Sequence, residues 1–236
     1  MKWAVVAPPG SRWQLDLATV LGDLLEHEVV LASQPEALRS VEALVVCGDE
    51  GWRRQLRLEA GTAQTLGRAL CEYANEGGLL LAIGEGFGAV CDMGLLPGTV
   101  EANQPAGFIS RMVALEVRSV SNPWAQRAAV GDRWWMPLRS SSARFVADEA
   151  EVERLEHDGR ILLQYIDDAV GSTHGIAAVM NAGRNVLGMS VHPENVVDAV
   201  LTTPHFPGVE SGRILFDSVG DWYDDGAYRG RGDSQR

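Results

Sequence analysis

Four short apolar runs in the first half of the chain constrain its fold more than any other feature. They are rich in Val, Leu and Ile, and they are apolar enough to be buried on both faces of a sheet, which is typical of parallel strands. These strand candidates are 2–7, 28–32, 42–47 and 78–83. Helical patterns separate them at 14–25 and 62–76, and a further helix is predicted to begin near Gly86. The alternation predicts an α/β fold with a doubly wound, mostly parallel sheet.

The second half of the chain is richer in strands, which predicts that antiparallel strands extend the sheet. The strand candidates are 108–118, 133–137, 144–147, 160–165, 175–180 and 185–190, and the helix candidates are 149–157, 194–201 and 210–222. No linker or repeat interrupts residues 1–223, so we expect a single domain there. Residues 224–236 are polar and rich in glycine, which predicts a disordered tail.

Candidate functional residues lie where the predicted strands end. In a doubly wound sheet the site lies at the carboxyl ends of the strands. The run 78–83 passes into the glycine-rich turn Gly84-Glu85-Gly86, the arrangement by which many α/β enzymes display a nucleophile. Far downstream, His192 precedes Glu194 by two residues, a base with a carboxylate that could orient it.

Four stretches in a shared order resemble one enzyme family, and the resemblance as a whole covers residues 1 to about 222. They are Phe87–Gly98 with its Gly-Leu-Leu-Pro-Gly ending, Asn103-Gln104 followed by Phe108–Arg111, Arg144–Asp148, and Gly175–Met189 followed by His192-Pro193-Glu194. The chain resembles the PurQ-like class I glutamine amidotransferases, the glutaminase subunits of phosphoribosylformylglycinamidine synthase in purine biosynthesis. This resemblance implies a flavodoxin-like fold, a Cys-His-Glu site that releases ammonia from glutamine, and a large synthetase subunit as partner, with a small accessory subunit as a further one.

The sequence departs from the family pattern at functional positions. Gly84 stands where the family carries its nucleophilic Cys, and a glycine cannot form a γ-glutamyl thioester. The family's Pro-Gly-Gly after the third strand becomes Cys47-Gly48-Asp49, and a carboxylate at Asp49 would oppose negative charge in an oxyanion site. The family's His-Gly-Glu-Gly becomes Ser140-Ser141-Ser142-Ala143. We therefore expect His192 and Glu194 to persist as a residual dyad in a catalytically degenerate subunit with a structural or regulatory role.

Two alternatives remain open at this point. In the first, an enzyme of altered chemistry uses Cys47, whose pKa a nearby helix N-terminus could lower, or uses Glu85 as a nucleophile or base; otherwise Glu85 is a solvent-facing turn residue. In the second, the cleft binds glutamine or another small metabolite without turnover. Trp52 is a candidate for an exposed aromatic side chain.

Composition narrows the functional classes further. A net charge of −12 argues against a nucleic-acid partner. The three cysteines have no metal-ligand spacing, so no metal is expected, and no cofactor is implied. The sequence has no apolar run long enough to span a membrane and no signal peptide, which predicts a cytoplasmic protein.

Overall fold

The computed structural model describes residues 1–198 and 210–226, and strands alternate with helices through the first half of that range. The strands of this half are β1 (Lys2–Val6), β2 (Glu28–Leu31), β3 (Ala43–Val46) and β4 (Leu79–Ile83). The helices are α1 (Arg12–Thr19), α2 (Glu50–Glu59), α3 (Leu66–Asn75) and α4 (Glu85–Asp92). A π-helical turn at Val20–Leu24 prolongs α1, and a 3-10 turn lies at Pro35–Ser40.

The second half supplies most of the antiparallel strands, as the sequence predicts. The strands are β5 (Thr99–Glu101), β6 (Ile109–Val117), β7 (Arg133–Ser140), β8 (Arg144–Val146), β9 (Ile161–Tyr165), β10 (Ile176–Met180) and β11 (Val186–Met189). The helices are α5 (Glu149–His157) and α6 (Ser211–Asp224), with 3-10 turns at Thr173–Gly175 and Pro193–Val196. The start of the helix predicted at 194–201 is instead the 3-10 turn at Pro193–Val196. Residues 199–201 of that prediction, and residues 227–236 of the predicted disordered tail, lie outside the described residues.

Within the described residues, nine strands form one sheet in the order β2-β1-β3-β4-β11-β10-β9-β6-β7. The first five run parallel to one another, and β10, β9, β6 and β7 are joined by antiparallel pairings. Every residue of β3 and β4 is buried, because helices cover both faces at the centre of the sheet. The predicted doubly wound sheet with added antiparallel strands is therefore confirmed.

Two apolar clusters form the core, one on each face of the sheet. The first packs α1 and α6 against the sheet and includes Trp3 and Phe216, whose rings meet edge to face at 5.8 Å. The second packs α2, α3 and α4 against the other face and includes Leu56, Leu70 and Phe87. The helix α2 was not predicted, and the prediction of an exposed Trp52 on it is wrong, because this side chain is 8% exposed within the second cluster.

His27 makes the first cluster sensitive to acid. Its ring stacks on Trp3 at 6.3 Å between centroids, and its Nε2 is buried without a hydrogen-bond partner among the described residues. Desolvation lowers the pKa of His27, and the positive N-terminus lowers it further, while Asp217 opposes both. The folded protein therefore disfavours the imidazolium relative to the unfolded chain.

We expect His27→Phe to reduce the loss of stability at low pH. An unfolded His titrates near 6.5, and the lowered pKa of His27 means that below this pH the unfolded chain binds the proton more readily than the folded one. The free energy of unfolding should therefore fall as pH decreases from 6.5 through the pKa of folded His27. Urea unfolding at pH 5 and pH 7.5 measures the fall in the free energy of unfolding between these two pH values. This fall should be smaller in the variant. An equal fall in the two proteins would contradict the assignment.

Candidate active site

A sharp turn of the backbone joins β4 to α4 at Gly84. Gly84 has φ 59° and ψ −120°, a conformation that residues with a side chain rarely adopt. Its N–H donates to the carbonyl of Met189 at 2.9 Å, and its own carbonyl accepts the N–H of Phe87 at 3.0 Å. This strand-to-helix turn has the form of the elbow that exposes a nucleophile in α/β enzymes.

His192 faces this elbow from the neighbouring strand. Since β11 pairs in parallel with β4, the two strands end at the same edge of the sheet, and His192 follows β11 by three residues. A Cβ atom added to Gly84 would lie 3.5 Å from Cε1 and 3.7 Å from Nε2 of the His192 ring. These are ordinary van der Waals distances, so the elbow has room for a side chain there, and that side chain would adjoin the imidazole.

Glu194 orients the His192 ring. Its Oε1 lies 2.7 Å from Nδ1 of His192, and the two residues are 3% and 7% exposed. Because the carboxylate occupies Nδ1, the nitrogen on the Gly84 side is Nε2, the arrangement of a general base and its orienting acid. The backbone N–H of His192 also donates to the carbonyl of Pro137 at 2.9 Å, which fixes the residue to β7. The structure thus brings together all three residues of the predicted residual site.

Two glycines beside the elbow are required by close packing. A Cβ on Gly86 would lie 2.2 Å from the carbonyl oxygen of Val46, because α4 begins directly against the end of β3. A Cβ on Gly48 would lie 2.6 Å from the ring of Trp52. Gly48 and Gly86 therefore allow β3, α2 and α4 to converge next to Gly84.

Asp49 caps α2. Its Oδ1 accepts the N–H of Trp52 at 2.9 Å, and its backbone is extended, as expected for the residue that precedes a helix. The sequence predicts this carboxylate beside an oxyanion site, and its capping function is evident only in the structure. Because the cap starts the helix that carries Trp52, Asp49 also positions the ring that covers Gly48.

Cys47 is not an activated thiol. It is buried directly after β3, and desolvation raises its pKa well above the usual value, with the nearby Glu194 carboxylate raising it further. The expectation that a helix N-terminus could lower its pKa is therefore wrong. Burial likewise raises the pKa of Cys91, and that of Cys71 in α3.

Glu85 and Arg53 form an ion pair at the start of α4. Nη1 of Arg53 lies 3.3 Å from Oε2 of Glu85, and the Glu85 side chain is only 15% exposed, so the expectation of a solvent-facing turn residue is wrong. Desolvation raises the pKa of Glu85, although the Arg53 cation partly offsets this. Sequence reasoning missed Arg53. The available signal was the pair Gly86 and Gly88 inside a helix, since helical glycines often mark a close neighbour.

The serine-rich segment after β7 supports the site from the other side. The buried side chain of Asn103 donates to the carbonyl of Ser140 and accepts the N–H of Ala143, both at 2.9 Å. The hydroxyl of Ser190 then donates to the carbonyl of Ala143 at 2.9 Å, two residues before His192. These bonds hold the segment 140–143 against the strand end that carries His192.

The described part of the chain lacks the features of a metal site and of a membrane-spanning helix. No group of three or more His, Cys, Asp or Glu residues in 1–198 and 210–226 could hold a metal ion. No described helix is both long and apolar enough to cross a membrane.

Comparison with known proteins gives the family. The model of the CobB/CobQ-like glutamine amidotransferase domain matches residues 17–223. The PurQ subunit of phosphoribosylformylglycinamidine synthase from Rubrobacter xylanophilus is 32% identical over 203 residues, which cover 85% of this chain and 92% of the relative. The corresponding subunit from Salinibacter ruber is 31% identical over 229 residues, or 92% and 95% of the two chains. The chain belongs to the PurQ family of glutamine amidotransferases.

A solved structure agrees with this placement. A chain in the structure of PurLQS from Thermotoga maritima superposes on this PurQ-family protein with a TM-score of 0.79 and 25% identity, covering 94% of this chain and 98% of that chain. The predicted fold class of a glutamine amidotransferase is thereby confirmed.

Adding a side chain at Gly84 should destabilise the protein through backbone strain. A residue with a Cβ held at φ 59° costs about 1–3 kcal/mol, so we expect Gly84→Ala and Gly84→Cys to lower the free energy of unfolding by similar amounts. Gly220→Ala is the matched control, because Gly220 lies in α6 with open space around its Cβ position; it should stabilise the protein by up to about 1 kcal/mol. Urea unfolding measures all three. Unchanged stability in both Gly84 variants would show that the turn relaxes without strain.

Proposed function

We propose that this chain is a PurQ-type subunit of phosphoribosylformylglycinamidine synthase that does not hydrolyse glutamine and serves as a structural or regulatory partner. One observation carries the proposal: His192 and Glu194 keep the geometry of a base and its orienting acid, and they face a glycine. The resemblance to the family makes position 84 the vacated nucleophile position. Without a nucleophile there, the dyad has no proton to remove for thioester formation.

The neighbouring thiols do not supply a substitute. An activated cysteine has a lowered pKa in an electropositive, partly exposed place, whereas Cys47 is buried and its pKa is raised by desolvation and by Glu194. Cys91 is buried on α4, with Sγ 3.7 Å from the carbonyl of Pro97. The geometry therefore favours loss of the glutaminase reaction over its transfer to another thiol.

Glu85 is equally unsuited to replace the nucleophile. Its carboxylate is paired with Arg53, so a covalent or general-base function would require this partly buried ion pair to open. Binding of a small metabolite beside Nε2 of His192 remains compatible with the proposal, because binding needs no nucleophile.

The partner follows from the relatives. Those from R. xylanophilus and S. ruber are named as subunits of phosphoribosylformylglycinamidine synthase, and the T. maritima structure is of PurLQS. We propose that this chain binds the large synthetase subunit in the same way, with a small accessory subunit in the assembly, in the cytoplasm. The complex would then draw its ammonia from free solution or from another glutaminase.

We expect no ammonia from glutamine when the purified chain is assayed alone and with the large synthetase subunit, because position 84 beside His192 carries no thiol. A coupled ammonia assay measures the release, with a glutaminase of known activity as the assay standard. Size-exclusion chromatography of the mixture measures assembly, and the two proteins should elute together.

The matched variant is His192→Asn, which removes the base. If the unaltered chain released ammonia and this variant did not, the site would be active and the assignment of a non-catalytic subunit would be wrong. Separate elution of the two proteins would instead contradict the proposed partner while leaving the loss of chemistry standing.

A further inference from the structure

Arg53 lies across α4 between this helix and α2, and it contacts residues at both ends of α4. Its Nε and Nη2 donate to the two carboxylate oxygens of Asp92 at 2.9 and 3.0 Å, in the last turn of the helix. Its Nη1 contacts Glu85 in the first turn and donates to the carbonyl of Val100 at 3.0 Å. Arg53 comes from α2, so a single guanidinium ties three segments together beside the elbow.

Gly88 makes this crossing possible. A Cβ on Gly88 would lie 2.3 Å from Nη1 of Arg53 and 2.5 Å from Cζ, so the guanidinium occupies the volume in which a side chain at position 88 would begin. Position 88 is one turn after Gly84, and Cα–Cβ bonds in a helix tilt toward its N-terminus. A side chain at 88 would therefore extend toward the elbow, and Arg53 takes up that space.

The ion pairs of Arg53 with Glu85 and Asp92 are stabilised by their burial and their geometry. The side chains of Arg53, Glu85 and Asp92 are 16%, 15% and 21% exposed, so their charges are largely removed from water and the guanidinium attracts both carboxylates strongly. The two hydrogen bonds to Asp92 form the bidentate pair that suits a guanidinium best, and they are the main cause that raises the pKa of Arg53. The Glu85 carboxylate is partly removed from water, so its separation from the Arg53 guanidinium would leave a poorly solvated charge without a partner, which is unfavourable.

We propose that the Arg53 guanidinium occupies part of the cleft and closes the α2 side of the elbow. In this position it excludes the side-chain amide of a substrate that approaches position 84. The proposal rests on the assignment of Gly84 as the vacated nucleophile position. It adds that the site has lost its substrate space as well as its nucleophile, so that a thiol restored at position 84 would still be shielded.

The experiment uses Gly84→Cys as a reporter thiol and iodoacetamide as the probe, since this small reagent is itself a neutral primary amide. Alkylation of residue 84 is followed by fragment-ion mass spectrometry, which separates it from the native cysteines. The rate is measured against pH, and the limiting rate at high pH is compared, so that a change in the thiol pKa does not enter the comparison. We expect the limiting rate to rise about 10-fold when Arg53→Ala is added to the reporter, because exposure controls access to a thiolate.

Two further variants keep the result interpretable. Gly88→Ala displaces the guanidinium without removing its charge, and it should raise the rate in the same direction. Arg68→Ala removes an arginine that pairs with Glu72 on the exposed surface of α3, and it should leave the rate unchanged. If Arg53→Ala does not fold, Gly88→Ala decides the question alone.

Limiting rates that are the same for the reporter, for Arg53→Ala and for Gly88→Ala would overturn the proposal. This outcome would not test the proposed function, because the proposed function is decided by ammonia release from the unaltered chain. A shielded reporter thiol in a chain that also released ammonia would leave Arg53 as the occupant and refute only the loss of activity.

Discussion

The parallel pairing of β4 with β11 is the interaction on which the site depends. It sets Ile83 opposite Met189, and the hydrogen bond from the N–H of Gly84 to the carbonyl of Met189 continues the ladder by one residue. Two segments far apart in sequence therefore end at the same level of the sheet. The elbow at Gly84 and the ring of His192 meet because backbone hydrogen bonds place them together, and this requires no side chain at position 84.

This dependence explains how the proposed loss of the nucleophile would leave the geometry of the site intact. Glu194, the backbone carbonyl of Pro137 and the Ser190–Ala143 bond hold His192 and the strand end before it from directions other than the elbow. Glycine also avoids the strain that a residue with a side chain would impose at φ 59°, so its presence at position 84 favours the stability of the turn. The helix α2 also packs beside the elbow, because the absence of a side chain at Gly48 leaves room for Trp52 and its absence at Gly88 leaves room for Arg53.

The sequence predicted the central sheet well, since β1, β3 and β4 are runs of buried apolar residues whose pattern does not depend on their neighbours. It did not predict α2. That helix buries only Trp52 and Leu56, and most of its other residues are charged, so few apolar residues mark it in the sequence. Its position depends on the Asp49 cap and on glycines of other segments, which become informative only when the segments are adjacent.

The sequence by itself determined the doubly wound core, the glycine at the elbow and the pairing of His192 with Glu194, because each depends on local pattern or on residues two positions apart. Only the tertiary structure decided the state of the charged groups around them. The raised pKa of Cys47 depends on burial and on Glu194, and the pairing of Glu85 depends on Arg53 from a different helix. Desolvation and ion pairing are set by distances between segments remote in sequence, and these distances are fixed only when the sheet and its helices have packed.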